Sequence, residues 1–113
     1  MDKIAVYQQA IIGFLREYSA VPNGNPTDGI QEQLIIDTQN NHFQLLSVGW
    51  QKSKFVFAAI FHFDIFHGKV WIQQNNTEVF VADELIVRGV AKEDIVLGFQ
   101  PPVARLHTGF AVA

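Results

Sequence analysis

Lys69-Val70-Trp71-Ile72-Gln73-Gln74, then Asn75-Asn76-Thr77-Glu78, and after an amphipathic run to Gly89 the closing Ala91-Lys92-Glu93-Asp94-Ile95-Val96-Leu97-Gly98-Phe99: this block decides the fold. The first six residues, rich in β-branched and aromatic side chains, read as a strand, and Asn75-Asn76 as the turn that ends it. Thr77 is placed to cap a helix, with Glu78 in its first turn and Gly89 just past its end. Between them Phe80, Val81, Leu85, Ile86 and Val87 make one apolar face, which predicts a helix over 78–88. Lys92-Glu93-Asp94 is a solvated turn, Ile95 to Phe99 a brief apolar strand, and Pro101-Pro102 stops it. The tail from Val103 to Ala113 is expected to be extended.

Working outward, Phe55 to Phe66 reads as a strand that enters the block through a two-residue turn, His67-Gly68. Before it lie Glu32 to Thr38 and Phe43 to Trp50, joined by Gln39-Asn40-Asn41-His42 and followed by the polar turn Gln51-Lys52-Ser53-Lys54. Connections this short cannot carry parallel crossovers, so the four strands form an antiparallel meander. Residues 2 to 18 place Ile4, Tyr7, Ile11, Phe14, Leu15 and Tyr18 on one stripe of an amphipathic helix. Pro22-Asn23-Gly24-Asn25-Pro26 is a loop too short to separate two domains. The expected architecture is α+β in a single domain over 1–113: N-terminal helix, four-stranded antiparallel meander, second helix, short C-terminal strand and tail.

Alternation along strands divides the sheet, provided the hairpins keep parity. One face then collects Leu34, Ile36, Leu46, Val48, Trp50, Val56, Ala58, Ile60, Val70 and Ile72, and packs under the helices. The other collects Ile35, Phe43, Leu45, Phe55, Phe57, Phe61, Phe63 and Trp71. An aromatic face of that kind needs a cover, either the C-terminal tail or the surface of another subunit or partner protein. Phe43, Phe55, Phe57, Phe61, Phe63 and Trp71 are the expected anchors of such an interface.

With 113 residues, 49% hydrophobic and 17% charged, the chain is long enough for one ordinary core. Ten Phe and two Trp are many to hide in so small an interior. The net charge of −3, with eight basic residues scattered along the chain, argues against the chain gripping DNA by itself, since that requires clustered Lys and Arg. Lys52, Lys54 and Lys69 would gather only if their turns were close in space. There is no cysteine, which excludes disulfides and thiolate metal sites. Met1-Asp2-Lys3-Ile4 lacks the layout of a secretory signal, and no apolar run approaches the roughly 20 residues that span a bilayer. The expected location is the cytoplasm, with no membrane partner.

The candidate chemistry is thin. His62 and Asp64, two apart on a strand, point to one side, and His67 follows at the turn. A His beside a carboxylate is the minimal unit for proton transfer, or half of a metal site. A metal needs three or four ligands, and the fold would have to supply His42 or His107. Two polar residues that close an apolar strand are more ordinarily a strand end, so the sequence assigns no catalytic residue, no metal and no cofactor. Asp83-Glu84 lie about 100° apart on a helix and read as a solvated face. The apolar end Gly109-Phe110-Ala111-Val112-Ala113 either docks on its own domain or on another protein, with Arg105 placed to orient it through a carboxylate.

Taken together, the block from Lys69 to Phe99, the Asp37-Thr38 turn leading through His42 to Trp50, His62-Phe63-Asp64 and the terminal Phe110-Ala111-Val112-Ala113 resemble the XisI-type excision-controlling factors of cyanobacteria. The similarity covers essentially the whole chain and includes Trp50, Trp71, Ile72, Gln73, Gly89, Asp94, Gly98, Phe99 and Arg105, with a slight departure around Ala91 and Val103. The resemblance implies control of excision of the fdxN DNA element during heterocyst differentiation. In that setting the protein would act beside an XisH-type companion factor and a site-specific recombinase. It assigns no catalytic role to any residue. The expectation is a non-enzymatic regulator working through protein contacts, through the aromatic face and through a tail comprising Arg105, Phe110, Val112 and Ala113. Its rivals are a direct DNA-binding accessory factor and a small enzyme or nuclease component using His62 and Asp64.

Overall fold

The computed structural model describes residues 2–20 and 29–113, so the expected Pro22–Pro26 loop lies outside the described residues. The order is α1 (Lys3–Ala20), β1 (Ile30–Asp37), β2 (His42–Gln51), β3 (Lys54–Phe66), β4 (Lys69–Asn75), α2 (Val81–Val87), a 3-10 turn (Lys92–Asp94), β5 (Ile95–Leu97) and α3 (Pro102–Arg105). The sheet order is β1-β2-β3-β4-β5. The first four strands form the expected antiparallel meander, and β5 returns parallel to β4 after the α2 crossover. The architecture is α+β, with one more strand in the sheet than the meander alone.

Local chemistry explains the turns. His67 and Gly68 both have positive φ, 52° and 75°, the twist a two-residue hairpin turn requires. Asp37 holds the β1–β2 turn, its Oδ1 accepting from the Gln39 and Asn40 amides at 3.0 Å each. Gly89 follows α2 as expected: its amide donates to Ile86 O at 3.0 Å and that of Val90 to Leu85 O at 3.0 Å, the paired bonds of a Schellman ending. Thr77 does not cap α2, whose first residue is Val81. Its hydroxyl instead accepts from the Val79 amide at 3.1 Å and donates to Asn75 Oδ1 at 2.6 Å, building the turn that delays the helix.

The core lies between α1 and one face of the sheet. Tyr7, Ala10, Ile11, Phe14 and Leu15 from the helix meet Phe43, Leu45, Phe61, Phe63, Val70 and Ile72. Phe14 meets Phe61 edge-on with centroids 5.3 Å apart, and Tyr18 meets the same ring at 4.9 Å. Val81 and Leu85 of α2 close one end. Arg88 pairs with Glu84 on its own helix and with Glu17 on α1, and so clamps the two helices together. That use of Glu84 agrees with a surface face rather than an ion site.

The division of the faces expected from sequence needs correction. Phe43, Phe61 and Phe63 are fully buried under α1 and cannot serve as interface anchors. Two features broke the assumed parity. Asp37 pairs with His42, so Leu34 and Ile36 share the core face with Leu45 and Phe43. Leu45 then pairs with Phe61 but Leu46 with Ala59, leaving Ile60 as a bulge residue that reverses the alternation along β3. Beyond that bulge Phe55 and Phe57 point away from the core, with Trp50 opposite Phe55. The tail is not extended throughout either. It forms α3, then returns so that Ala111 bridges Val96, its amide donating to Ile95 O at 2.8 Å.

Candidate functional site

The outer face of the sheet carries both groups of candidate residues, in two neighbouring regions. Toward the β2–β3 turn, Trp50, Phe55 and Phe57 stand 59%, 51% and 66% exposed, with the Trp50 and Phe55 rings 5.2 Å apart. Toward the other end the tail supplies a cover. The Arg105 guanidinium sits 5.1 Å from the Trp71 ring, and Phe66 meets Trp71 edge-on with centroids 6.4 Å apart. Arg105 is held by main-chain carbonyls, at 3.0 Å from Gln100, 3.3 Å from Val112 and 3.4 Å from Gly98. It orients the tail as expected, but through these carbonyls and not through a carboxylate. Phe110 packs against the core beneath the Lys92 ammonium, and Ala113 lines a groove with Phe66 and Trp71.

The polar group lies beside Trp71, the register partner of Asp64. His42 pairs directly with Asp64 across β2 and β3, and His62 lies two residues from Asp64 on the same side. The result is a converging trio. His42 Nδ1 is 2.7 Å and His62 Nε2 is 2.9 Å from the same oxygen, Asp64 Oδ1. Gln73 Nε2 donates to the other oxygen at 3.3 Å. Burial pushes the Asp64 carboxyl up, but the His42 hydrogen bond, the His62 charge and the bonds from Gln73 and His62 outweigh it and hold its pKa below the ordinary value. His42 and Asp64 of the trio line a concavity of about 340 Å³ with Asn40, Phe66, Trp71 and Gln73.

Sequence reasoning found His62 and Asp64 and left His42 conditional on the fold; the hairpin register supplies it. His67 stays outside, its exposed ring against Phe66 at 4.0 Å. Gln73 was missed as a site residue because its placement depends on a second bulge. Phe63 pairs with Ile72 but His62 with Gln74, so Gln73 is the extra residue, a device that re-aims a side chain. Gly98 makes room for it: a Cβ there would sit 2.2 Å from Gln73 Oε1. Lys52 and Lys54 lie at one end of β3 and Lys69 at the other, about 40 Å away along a 13-residue strand. The three do not form one basic patch.

A family model described as XisI protein matches residues 1–112. The chain belongs to the XisI family. Two solved structures from Anabaena variabilis are similar over nearly all of this XisI-family chain. One, an XisI-like protein, shares 40% identity with a TM-score of 0.90, over 97% of this chain and 99% of its own. The other, described as the fdxN element excision controlling factor XisI, shares 36% identity with a TM-score of 0.87, over 99% of this chain and 100% of its own. Among curated proteins no match was found. No helix among the described residues of this XisI-family member is long and apolar enough to cross a membrane.

Proposed function

We propose that this chain is a cytoplasmic, non-enzymatic regulator of fdxN-type element excision. In this reading it acts by binding an XisH-type companion factor, within a complex that includes a site-specific recombinase. Family membership and likeness to an excision controlling factor support the process. The observation that carries the mode of action is the uncovered cluster of Trp50, Phe55 and Phe57 on the outer sheet face. Rigid aromatic side chains left in water beside one another are costly to hydrate and are the usual anchors of protein interfaces. The net charge of −3 and the separation of Lys69 from Lys52 and Lys54 weigh against DNA as the direct ligand of this chain alone.

The test is Phe57→Asp, assayed for companion binding and for excision in the host. Phe57 points into water, so the variant is expected to keep its melting midpoint while losing both the complex and excision. A folded Phe57→Asp protein that binds and supports excision normally removes this surface from the account. Truncating the tail is a poorer probe, because Ala111 and Val112 bond to the chain's own β5 and Arg105.

A further inference from the structure

We propose that His42, His62 and Asp64 form a binding site for a divalent transition-metal ion of the zinc class, with three protein ligands and a fourth position facing the pocket. The proposal is independent of the aromatic docking surface. It rests on where the donor atoms lie. One imidazole nitrogen each from His42 and His62 and an Asp64 oxygen all fall within 4.8 Å of one another. Ligand atoms around tetrahedral zinc stand about 3.3 Å apart, given bonds of roughly 2.0 Å. The observed His–Asp separations of 2.7 and 2.9 Å would open slightly, and the two imidazole nitrogens, within 4.8 Å of each other, would settle to the same spacing by side-chain rotation to admit an ion.

The donor set is selective. Two imidazoles and one carboxylate suit zinc, cobalt, nickel or copper, whereas magnesium and calcium take oxygen ligands. The scaffold is rigid, because His42 and Asp64 are register partners and the Ile65 amide donates to Asn41 O at 3.0 Å just beyond them. Gln73 bonds to the free carboxylate oxygen, the outer contact that fixes a ligating carboxylate. Entry is open, since the His42 side chain is 57% exposed.

Metal binding requires a lone pair on each imidazole nitrogen that faces the ion. For neutral His42 and His62 any proton now donated to Asp64 moves to the opposite ring nitrogen. For His62 that atom is Nδ1, which is buried without a hydrogen-bond partner among the described residues. A ligating imidazole that lacks such a partner loses about 10–100-fold in metal affinity. The site is therefore expected to bind in the micromolar rather than the nanomolar range.

The experiment uses the untagged full chain, freed of metal with a chelator. Cobalt is titrated by visible absorption, and zinc by competition with a chromophoric chelator. One equivalent should bind, with the intense absorption of low-coordinate cobalt. His42→Ala and Asp64→Asn should each weaken binding at least about tenfold, while their metal-free melting midpoints show that they fold. His107→Ala, at an exposed histidine that is not one of the three ligands, should leave binding unchanged. No binding, or binding that survives both His42→Ala and Asp64→Asn, overturns the proposal and leaves the trio a hydrogen-bonded clamp between strands.

Discussion

Asp94 shows at the scale of one residue how this small protein fixes its crossover. Its Oδ2 accepts from the Tyr7 hydroxyl at 2.5 Å and pairs with Lys3 at 3.0 Å, tying α1 to the turn before β5. Burial raises the Asp94 pKa, but the bonds from Tyr7 and Lys3 and the charges of Lys3 and Lys69 lower it further, so it lies below the ordinary value. The Tyr7 phenol is pushed up, by burial first and then by its bond to Asp94. A carboxyl with a lowered folded pKa contributes stability that is present above the unfolded value of about 3.9 and is lost as pH falls through the folded value. Asp94→Asn should therefore flatten the acid limb of the melting midpoint against pH. Melts between roughly pH 6 and pH 2 check this. A limb as steep as that of the parent would show that Asp94 is not linked to folding. Asp37 and Asp64 are lowered too, so part of the slope should remain.

At the scale of the element, β3 carries the most consequential irregularity. Phe57 and Phe61 are four residues apart and would share a face in a regular strand. The bulge at Ile60 puts Phe61 in the core, with no exposed surface, and leaves Phe57 66% exposed. Phe61→Ala should cost about 3–5 kcal/mol, as large-to-small changes of buried aromatics do. Phe57→Ala should stay within about 0.5 kcal/mol. Chemical denaturation of both variants measures the difference, and equal losses would place both rings in the same environment. The same irregularity marks what the sequence could reveal. Periodicity located α1, all four meander strands and the brief strand that forms β5, and cap chemistry located the glycine that ends α2, but neither placed β5 parallel beside β4. Parity across the hairpins depends on loop length and bulges, which no pattern of apolar residues encodes. The expected aromatic face was consequently a mixture of three core rings and three outward ones. His42 could be connected to His62 and Asp64 only once the β2–β3 register was known.

Considered as a whole molecule, the protein buries one face of its sheet under α1 and divides the other between its own tail and solvent. Arg105 and the returning tail cover Trp71, so of the two covers weighed from sequence the chain's own tail occupies part of that face. The part around Trp50 is exposed and is the surface proposed for the companion factor. Intrinsic fluorescence can follow it, since Trp50 and Trp71 are the only two tryptophans in the chain. The most direct measurement is the emission of Trp50 in a Trp71→Phe variant as the purified companion factor is titrated, with complex formation followed in parallel by sedimentation. The account predicts a saturable blue shift as the exposed indole leaves water, absent when Phe57→Asp is added. A complex that forms without shifting Trp50, or no complex at all, would contradict it.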